Sequence, residues 1–226
     1  EAVVHDRSRV VESARALLKK AGYAVEVGVI SATGIGWPQT RRRYFMIARK
    51  SAAPLPVASV VSAFATPSIR DVMWAIGDLA DVPFDDRLHV STELSDENKK
   101  RIDYLFDHDE YELPNSERPD CHKDGTSYGA VYGRMYPHKP APTLTTGFLT
   151  PGRGRYIHPT QRRTITPREA ARIQGYPDSY DFFPDPKNPT TKAKLTKWIG
   201  DAVPMPLGYI AGMCALAGDL STFESR

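Results

Sequence analysis

The sequence predicts an α/β fold that continues into a smaller, irregular α+β region. Three observations favour this class: an amphipathic helical pattern over residues 7–21, alternating valines at 25, 27 and 29, and a second β-prone run over residues 43–48. A loop that contains Gly and Pro separates the two β-prone runs. Helix, strand, loop and strand at this density are typical of the edge of an α/β sheet.

The first helix has clear signals at its C-terminal end. Apolar residues recur at helical spacing from Val10 to Leu18, and Lys19 and Lys20 suit a last turn whose carbonyls carry partial negative charge. Gly22 follows as a typical stop. The helix is therefore expected to end close to residue 21.

The middle of the chain, residues 51–140, is less regular. Three prolines near its start predict a linker or loop, and short helices are predicted around residues 69–77 and 96–106. Residues 107–140 are rich in Gly, Pro, Asn and Asp, which predicts loops or short strands.

Two helices are predicted after Pro142. Thr166-Pro167-Arg168-Glu169 combines a capping Thr, a Pro at the first helical position and a Glu that completes a capping box, and this helix should end near Gly175. A last helix, from Pro204–Leu207 to about Ala217, is apolar nearly all round, which predicts that it is buried.

The composition excludes several classes of protein. A chain of 226 residues can bury a substantial core, and no run of about 18 apolar residues predicts a membrane span. The N-terminus lacks the layout of a signal peptide. Cys121 and Cys214 lie far apart and form no metal-ligand pair. Neither a metal site, a structural disulfide nor a membrane partner is predicted, and a reducing cytoplasm is expected.

The charge is unevenly distributed. Residues 51–125 hold 16 acidic and seven basic residues, whereas the rest of the chain holds 11 acidic and 23 basic ones. A polyanion would be attracted to the flanks, although charge runs often only solvate a surface.

The first of three notable patches is Gly36-Trp-Pro-Gln-Thr-Arg-Arg-Arg43, directly before a β-prone run. Alternate residues share one side of an extended chain, so Gln39, Arg41 and Arg43 are expected to project together as forks for phosphate or a base carbonyl. A solvated arginine surface would explain the same run.

The other two patches lie in the second half of the chain. Residues 140–147 and 152–159 combine Thr, Gly and Arg, which suits close approach to a phosphate backbone, although a plain hairpin would explain them equally well. Residues 198–204 form the third patch, for which a helix-packing turn is the alternative.

The order of these motifs resembles that of the DNA cytosine-5 methyltransferases. Pro38-Gln-Thr-Arg-Arg-Arg43 is similar to the family's Gln-x-Arg-x-Arg motif, and Pro142-Thr-Leu-Thr-Thr146 to the next motif. The stretch from His158 to Asp178 and Ile199-Gly-Asp-Ala-Val-Pro204 resemble the two that follow, with Asp201 where Asn is usual. Apart from a variable region, where a target-recognition domain belongs, the resemblance covers nearly the whole chain.

The resemblance implies base flipping and methyl transfer from S-adenosylmethionine to carbon 5 of cytosine, after a cysteine thiolate attacks carbon 6. It implies that Arg43 hydrogen-bonds the flipped base, that Arg41 organises phosphate and the nucleophile loop, and that Gln39 supports this geometry. Further residues are expected to bind double-stranded DNA (Arg134, Thr145, Thr146, Arg153 and Arg155) or the cofactor (Asp201, Ala202 and Val203).

The family's Pro-Cys motif and glycine-rich cofactor loop lie upstream of the motifs seen here. The resemblance therefore implies the C-terminal portion of an enzyme, with the end of a Rossmann-like methyltransferase sheet in residues 1–50 and a target-recognition domain in residues 51–165. Residues 166–226 would return to the catalytic domain. The N-terminal catalytic half would be a partner, on the same chain or as a separate subunit, and the protein is expected in the cytoplasm, associated with the nucleoid.

Two other functions remain open. One is a non-catalytic DNA-binding module that keeps the arginines without the chemistry, and the other is methylation of RNA cytosine. A test for methyl transfer in the presence of the missing motifs would distinguish an enzyme from the binding module. Competition between matched DNA and RNA duplexes would test the RNA alternative.

Overall fold

The computed structural model describes residues 9–50, 52–80, 87–123 and 130–217, and the chain divides into two compact units. The described residues of the first unit fall within Glu1–Gly36, Arg42–Ser68 and Met205–Arg226, and those of the second within Trp37–Arg41 and Ile69–Pro204. The helices and strands are α1 (Val10–Lys20), β1 (Ala24–Ser31), β2 (Arg42–Arg49), α2 (Val57–Ala63), α3 (Val72–Ile76), α4 (Asp96–Asp107), α5 (Pro167–Ile173), α6 (Lys192–Asp201) and α7 (Met205–Leu216).

These units differ from the predicted domain boundaries. Residues 37–41 group with the second unit instead of with residues 1–50, and residues 166–204 also belong to the second unit. The difference arises because backbone pairing and core packing, which join distant segments, define a unit, whereas the predicted boundaries follow the order of the family's motifs along the chain.

The first unit is built on an antiparallel pair of strands. β1 pairs with β2 from Ala24 opposite Arg49 to Ser31 opposite Arg42, as the alternating valines and the second β-prone run predict. Helices α2 and α7 pack against the pair. Gly28 in β1 allows α2 to approach closely, because an added Cβ would lie 2.7 Å from the Cγ1 atom of Val57.

Helix α2 occupies part of the stretch that the prolines predict to be a linker. Pro56 is its N-cap residue, a position where the missing N–H costs no helical hydrogen bond, and Val57 and Val60 are buried. The side chain of Glu26 accepts a hydrogen bond from the Val57 N–H at 3.1 Å. The linker prediction is wrong for this segment because a helix of two turns needs only two buried apolar residues and an external cap.

Helix α7 ends where expected but is not buried all round. Leu207, Ile210 and Cys214 are buried, whereas Met205 and Tyr209 are 60% and 56% exposed. A helix packed on one side buries only a stripe at three- to four-residue spacing, and the remaining apolar residues stay at the surface of this unit.

The second unit has helices and loops around its core. Helix α5 packs against α3 and α6, and the most deeply buried side chains include Leu144, Phe148, Ile165, Ile173 and Ile199. In its described residues there is no strand, only isolated bridges, so the predicted α+β character is not found there. Many of its loop residues are prolines and glycines, which favour turns over continuous ladders.

Helix α6 is an element that the sequence did not predict. Thr191 caps it by accepting a hydrogen bond from the Lys194 N–H at 3.3 Å, and Leu195 and Ile199 bury one face at a spacing of four. The cap and the spaced apolar pair were available signals, but three lysines stand among them.

No single helix among the described residues has the length and apolar composition needed to cross a membrane. Helices α6 and α7 meet these two criteria only when they are counted together, and the chain bends between them.

The capping box of α5 is present as predicted. The Thr166 hydroxyl accepts from the Glu169 N–H at 3.2 Å, and the Glu169 carboxylate accepts from the Thr166 N–H at 2.8 Å. Arg163 then binds both oxygens of this carboxylate, at 2.8 and 2.6 Å. A bidentate guanidinium balances a carboxylate that has no exposed surface.

His158 completes this buried cluster. Its Nδ1 accepts hydrogen bonds from the backbone N–H groups of Thr160 and Gln161, both at 3.1 Å, and its Nε2 lies 3.5 Å from a Glu169 oxygen. A proton on Nδ1 would therefore face two donors. Burial lowers the pKa of His158 to about 4, against the attraction of Glu169 and with a smaller lowering by Arg163.

We predict that the chain loses stability as the pH falls from about 6.5 towards 4. In this window the unfolded state binds a proton at His158 that the folded state excludes, so the free energy of unfolding falls by at most about 1.4 kcal/mol per pH unit from this group. Denaturant titrations at several pH values would measure it. In His158→Asn, whose amide oxygen can replace the Nδ1 acceptor, the slope should decrease; an unchanged slope would refute the assignment.

Candidate functional site

The segment 37–41 brings two of the sequence motifs together. The Ala141 N–H donates to the Pro38 carbonyl at 2.8 Å, and the Thr40 N–H donates to the Ala141 carbonyl at 2.9 Å. In this short parallel bridge Gln39 and Arg41 are buried and Thr40 is exposed. The predicted alternation therefore holds for Gln39 and Arg41, although both precede the strand β2.

A buried polar network joins this segment to the last motif. Gln39 Nε2 donates to Gln174 Oε1 at 3.2 Å, and Gln174 Nε2 donates to the carbonyl of Ala202 at 3.2 Å. Arg41 Nη1 donates to the carbonyl of Leu144 at 2.8 Å. Three motifs that are separated by up to 160 residues of sequence therefore share one network, and Gln174 is a central residue that the sequence did not single out.

Gly200 allows the third motif to approach the second. A Cβ at this position would lie 2.5 Å from the carbonyl carbon of Thr145 and from the amide nitrogen of Thr146. Arg41 Nη1 is 3.5 Å from the Gly200 carbonyl, so the same approach brings helix α6 to the network. Glycine is needed here for close backbone contact.

Arg43 belongs to the first unit, whereas Gln39 and Arg41 belong to the second. It is half-buried at the start of β2, where it pairs with Ile30, and its Nη1 donates to the carbonyl of Arg42 at 2.8 Å. Burial lowers the pKa of its guanidinium. Arg42 beside it is exposed.

Three of the residues predicted to bind DNA lie at the surface: Thr145, Thr146 and Arg153. The hydroxyl groups of Thr145 and Tyr156 are hydrogen-bonded at 3.0 Å, and the Gly147 N–H donates to the Thr145 hydroxyl at 3.4 Å. The turn at Thr145 and Thr146 is thus held in place by hydrogen bonds to the Thr145 hydroxyl.

Arg134 and Arg155 are engaged inside the second unit instead of presenting free forks. Arg134 is only 9% exposed; its Nε donates to the Pro159 carbonyl at 2.8 Å, and it forms an ion pair with Asp109 at 3.2 Å. Arg155 donates to the Tyr111 carbonyl at 2.7 Å and forms an ion pair with Glu112 at 2.6 Å. The sequence could not reveal these partners, because they lie more than 20 residues away.

An open cavity of about 540 Å³ lies beside the last motif. It is lined by Tyr176, Tyr180, Asp181, Phe182, Pro184, Lys197, Trp198, Asp201 and Ala202. Two of the three residues predicted to bind cofactor, Asp201 and Ala202, therefore line it, whereas Val203 is exposed without being part of the lining. The aromatic residues of the lining were missed as site residues, although Tyr176 and Trp198 lie next to or within quoted motifs.

Asp201 is paired on its own helix. Its Oδ2 is 2.6 Å from the ammonium of Lys197, and both side chains are more than half exposed. An exposed pair at this spacing contributes little to stability. It does give the Asp201 carboxylate a positive counter-charge at the cavity.

Neither cysteine joins the buried network. Cys121 is exposed, and Cys214 is buried in α7 of the first unit, where burial raises the pKa of its thiol. In the described part of the chain no group of three His, Cys, Asp or Glu residues is arranged to hold a metal ion.

Comparison with solved structures identifies the class of fold. The crystal structure of S. pombe Dnmt2 methyltransferase resembles this chain with a TM-score of 0.58 at 14% identity, over 91% of this chain and 62% of that one. The chain thus has an α/β methyltransferase fold.

Sequence comparison specifies the family. The family model for C-5 cytosine-specific DNA methylase matches residues 1–213, and the chain belongs to this family. Type II methyltransferase M1.BsuMI of Bacillus subtilis is 42% identical over 212 residues, covering 93% of this chain and 48% of the relative. Type II methylase M.HgiDII of Herpetosiphon aurantiacus is 36% identical, covering 85% and 55%. The chain spans about half the length of these relatives.

We predict that Gly200→Ala destabilises the chain by about 1–3 kcal/mol, because an added methyl group would overlap the backbone at Thr145 and Thr146. Gly208→Ala is the matched control: it lies in α7 with no atom within 4 Å of the added Cβ, and should be neutral or stabilising by up to about 1 kcal/mol. Denaturant unfolding would measure both. Equal stability of the two variants would contradict the close approach.

Proposed function

We propose that this chain is the C-terminal portion of a DNA cytosine-5 methyltransferase. It would bind duplex DNA, hold the flipped cytosine and complete the S-adenosylmethionine site, while an N-terminal part supplies the nucleophilic cysteine, on the same chain or as a separate subunit. The observation that carries this proposal is the buried network in which Gln39, Gln174 and Ala202 join three motifs in family order.

The network supports a positioning role for Gln39 and Arg41. Both are buried, and Arg41 holds the carbonyl of Leu144, directly before the exposed Thr145 and Thr146. Among the described residues, the Oε1 atom of Gln39 has no hydrogen-bond partner. A buried acceptor without a donor carries a cost, which the rest of the network has to offset.

Arg43 is the residue proposed to contact the reacting base. A cytosine ring is unreachable in the stacked duplex, so it must be flipped out before reaction. A guanidinium that donates to the carbonyl oxygen of the flipped ring would stabilise negative charge that develops when the thiolate adds to carbon 6. Desolvation strengthens such an interaction, and Arg43 is half-buried.

The lining of the 540 Å³ cavity fits part of the cofactor. Four aromatic rings line it, those of Tyr176, Tyr180, Phe182 and Trp198. The lining also holds Asp181 and the ion pair of Lys197 with Asp201, so its ring faces and the Asp181 carboxylate suit a ligand that carries a positive charge. S-adenosylmethionine would supply an activated methyl group on a cationic sulfonium. Asp201 and Ala202 would bind it from this side, and the glycine-rich loop of the N-terminal part from the other.

The first unit carries apolar surface that a catalytic half would cover. Phe64, Met205 and Tyr209 are exposed and line an open apolar cavity of about 290 Å³ together with Ile35 and Ile210. Exposed apolar surface of this kind marks interaction sites. Because the chain spans about half the length of its relatives, we assign this surface to the remaining part of the enzyme.

The DNA-facing residues are proposed to be Thr145, Thr146 and Arg153, which are exposed. Arg134 and Arg155 then act indirectly, since their ion pairs and carbonyl contacts fix the loops around residues 109–112 and 155–159.

We predict that Arg43→Ala lowers methyl transfer by about 100-fold or more in the enzyme reconstituted with its N-terminal part, because one cationic donor to the base is lost. Arg42→Ala is the matched control, since Arg42 is the exposed neighbour, and it should retain most activity. Transfer of labelled methyl from S-adenosylmethionine to a cytosine-containing duplex measures both. Near-normal turnover of Arg43→Ala would exclude the assigned role, and a folded, DNA-bound wild-type complex without any transfer would favour a non-catalytic binding module.

A further inference from the structure

Many arginines of the second unit form ion pairs with carboxylates of the same unit. Arg134, Arg155, Arg162, Arg163 and Arg172 all form ion pairs with carboxylates. Such residues would have to give up an internal partner to bind an external anion. An exposed cation that an aromatic ring supports and that has no acidic partner is an exception to this cost.

Arg70 is such an exception. Its guanidinium carbon lies 4.1 Å from the centroid of the Trp74 ring, and no hydrogen bond or ion pair links Arg70 to the residues that the structure describes. Trp74 is 52% exposed, and the ring of Trp37 meets it nearly perpendicularly at 5.8 Å. The aromatic support orders the guanidinium while its N–H groups stay at the surface.

Lys139 repeats this arrangement. Its ammonium lies 4.1 Å from the centroid of the Tyr136 ring, and it is exposed. The Val72 N–H donates to the Lys139 carbonyl at 2.9 Å, which joins the backbone at the start of α3, two residues after Arg70, to the backbone of Lys139. The two ring-supported cations thus belong to backbone segments that are hydrogen-bonded to each other.

The acidic group at this surface is committed elsewhere. Asp71 caps α3 by accepting from the Trp74 N–H at 2.8 Å, and its other oxygen lies 3.9 Å from Nδ1 of the exposed His138. It forms no ion pair with Arg70 or Lys139 in the described part of the chain. The surface therefore presents two cations that form no direct ion pair with Asp71.

We propose that Arg70 and Lys139 form a phosphate-binding surface for the DNA backbone. A planar guanidinium and an ammonium held at fixed positions match two anionic groups on a polyanion. Lys139 directly precedes the motif that carries Thr145 and Thr146, so the surface continues the proposed DNA-facing loop along the chain. This inference rests on the proposed function.

Salt dependence of DNA binding tests the surface. Affinity of the full chain, together with its N-terminal part, for a fluorescent duplex is measured over a range of salt concentrations. Each phosphate contact contributes about 0.9 to the slope of log K against log[salt], so Arg70→Gln with Lys139→Gln should reduce the slope by about 2. Lys100→Gln with Lys187→Gln removes the same charge from exposed positions and should leave the slope nearly unchanged.

A second variant separates ring support from charge. Trp74→Leu keeps both cations but removes the ring beneath Arg70, so affinity should fall about two- to five-fold with an unchanged slope. Arg70→Lys should likewise retain the slope. Far-ultraviolet circular dichroism and the unfolding midpoint confirm that each variant is folded.

The outcomes distinguish this inference from the proposed function. An unchanged slope in the double variant, with salt-sensitive binding and methyl transfer intact, overturns the surface and leaves the function. Loss of assembly with the N-terminal part, with DNA affinity per assembled complex unchanged, assigns the surface to a protein contact and also overturns the inference. A wild-type complex without salt-sensitive DNA binding overturns both.

Discussion

The side chain of Gln174 holds together segments that lie far apart in the sequence. One end of its amide accepts a hydrogen bond from Gln39, and the other donates to the Ala202 carbonyl beside the cavity. A buried amide that lost either partner would leave polar atoms unsatisfied, at about 1–3 kcal/mol each. Helices α5 and α6 and the segment 37–41 are therefore constrained together, and the cavity beside Ala202 and the turn at Thr145 both depend on that constraint.

Local signals predicted most of the helices and both strands. The capping residues of α5, the stop after α1 and the alternating valines of β1 act within a few residues, so the sequence reveals them directly. Helices α2 and α6 escaped prediction for different reasons: the cap of α2 comes from the distant side chain of Glu26, whereas the Thr191 cap and the apolar pair of α6 stand in a segment rich in lysine. Prolines and lysines in the sequence conceal that support.

The sequence indicated several residues of the candidate site, but not the hydrogen bonds that join them. Gln39, Arg41, Asp201 and Ala202 follow from motif order, but the central position of Gln174 depends on a contact across 135 residues. Arg134 shows the reverse case. The sequence predicts that it binds DNA, but its side chain is buried and contacts Asp109 and the Pro159 carbonyl. Charge in a sequence indicates available cations, and only tertiary structure shows which of them are already paired.

The segment 37–41, in which Gln39 forms a bridge with Ala141, has a consequence for how the chain can vary in length. From Gln39 to Arg41 the side chains alternate, with Gln39 and Arg41 buried and Thr40 exposed. Inserting or deleting one residue would exchange the two sides, placing a short hydroxyl where a guanidinium holds the Leu144 carbonyl. Homologous chains are therefore expected to accumulate insertions elsewhere, and a split or circularly permuted protein should be opened outside this segment.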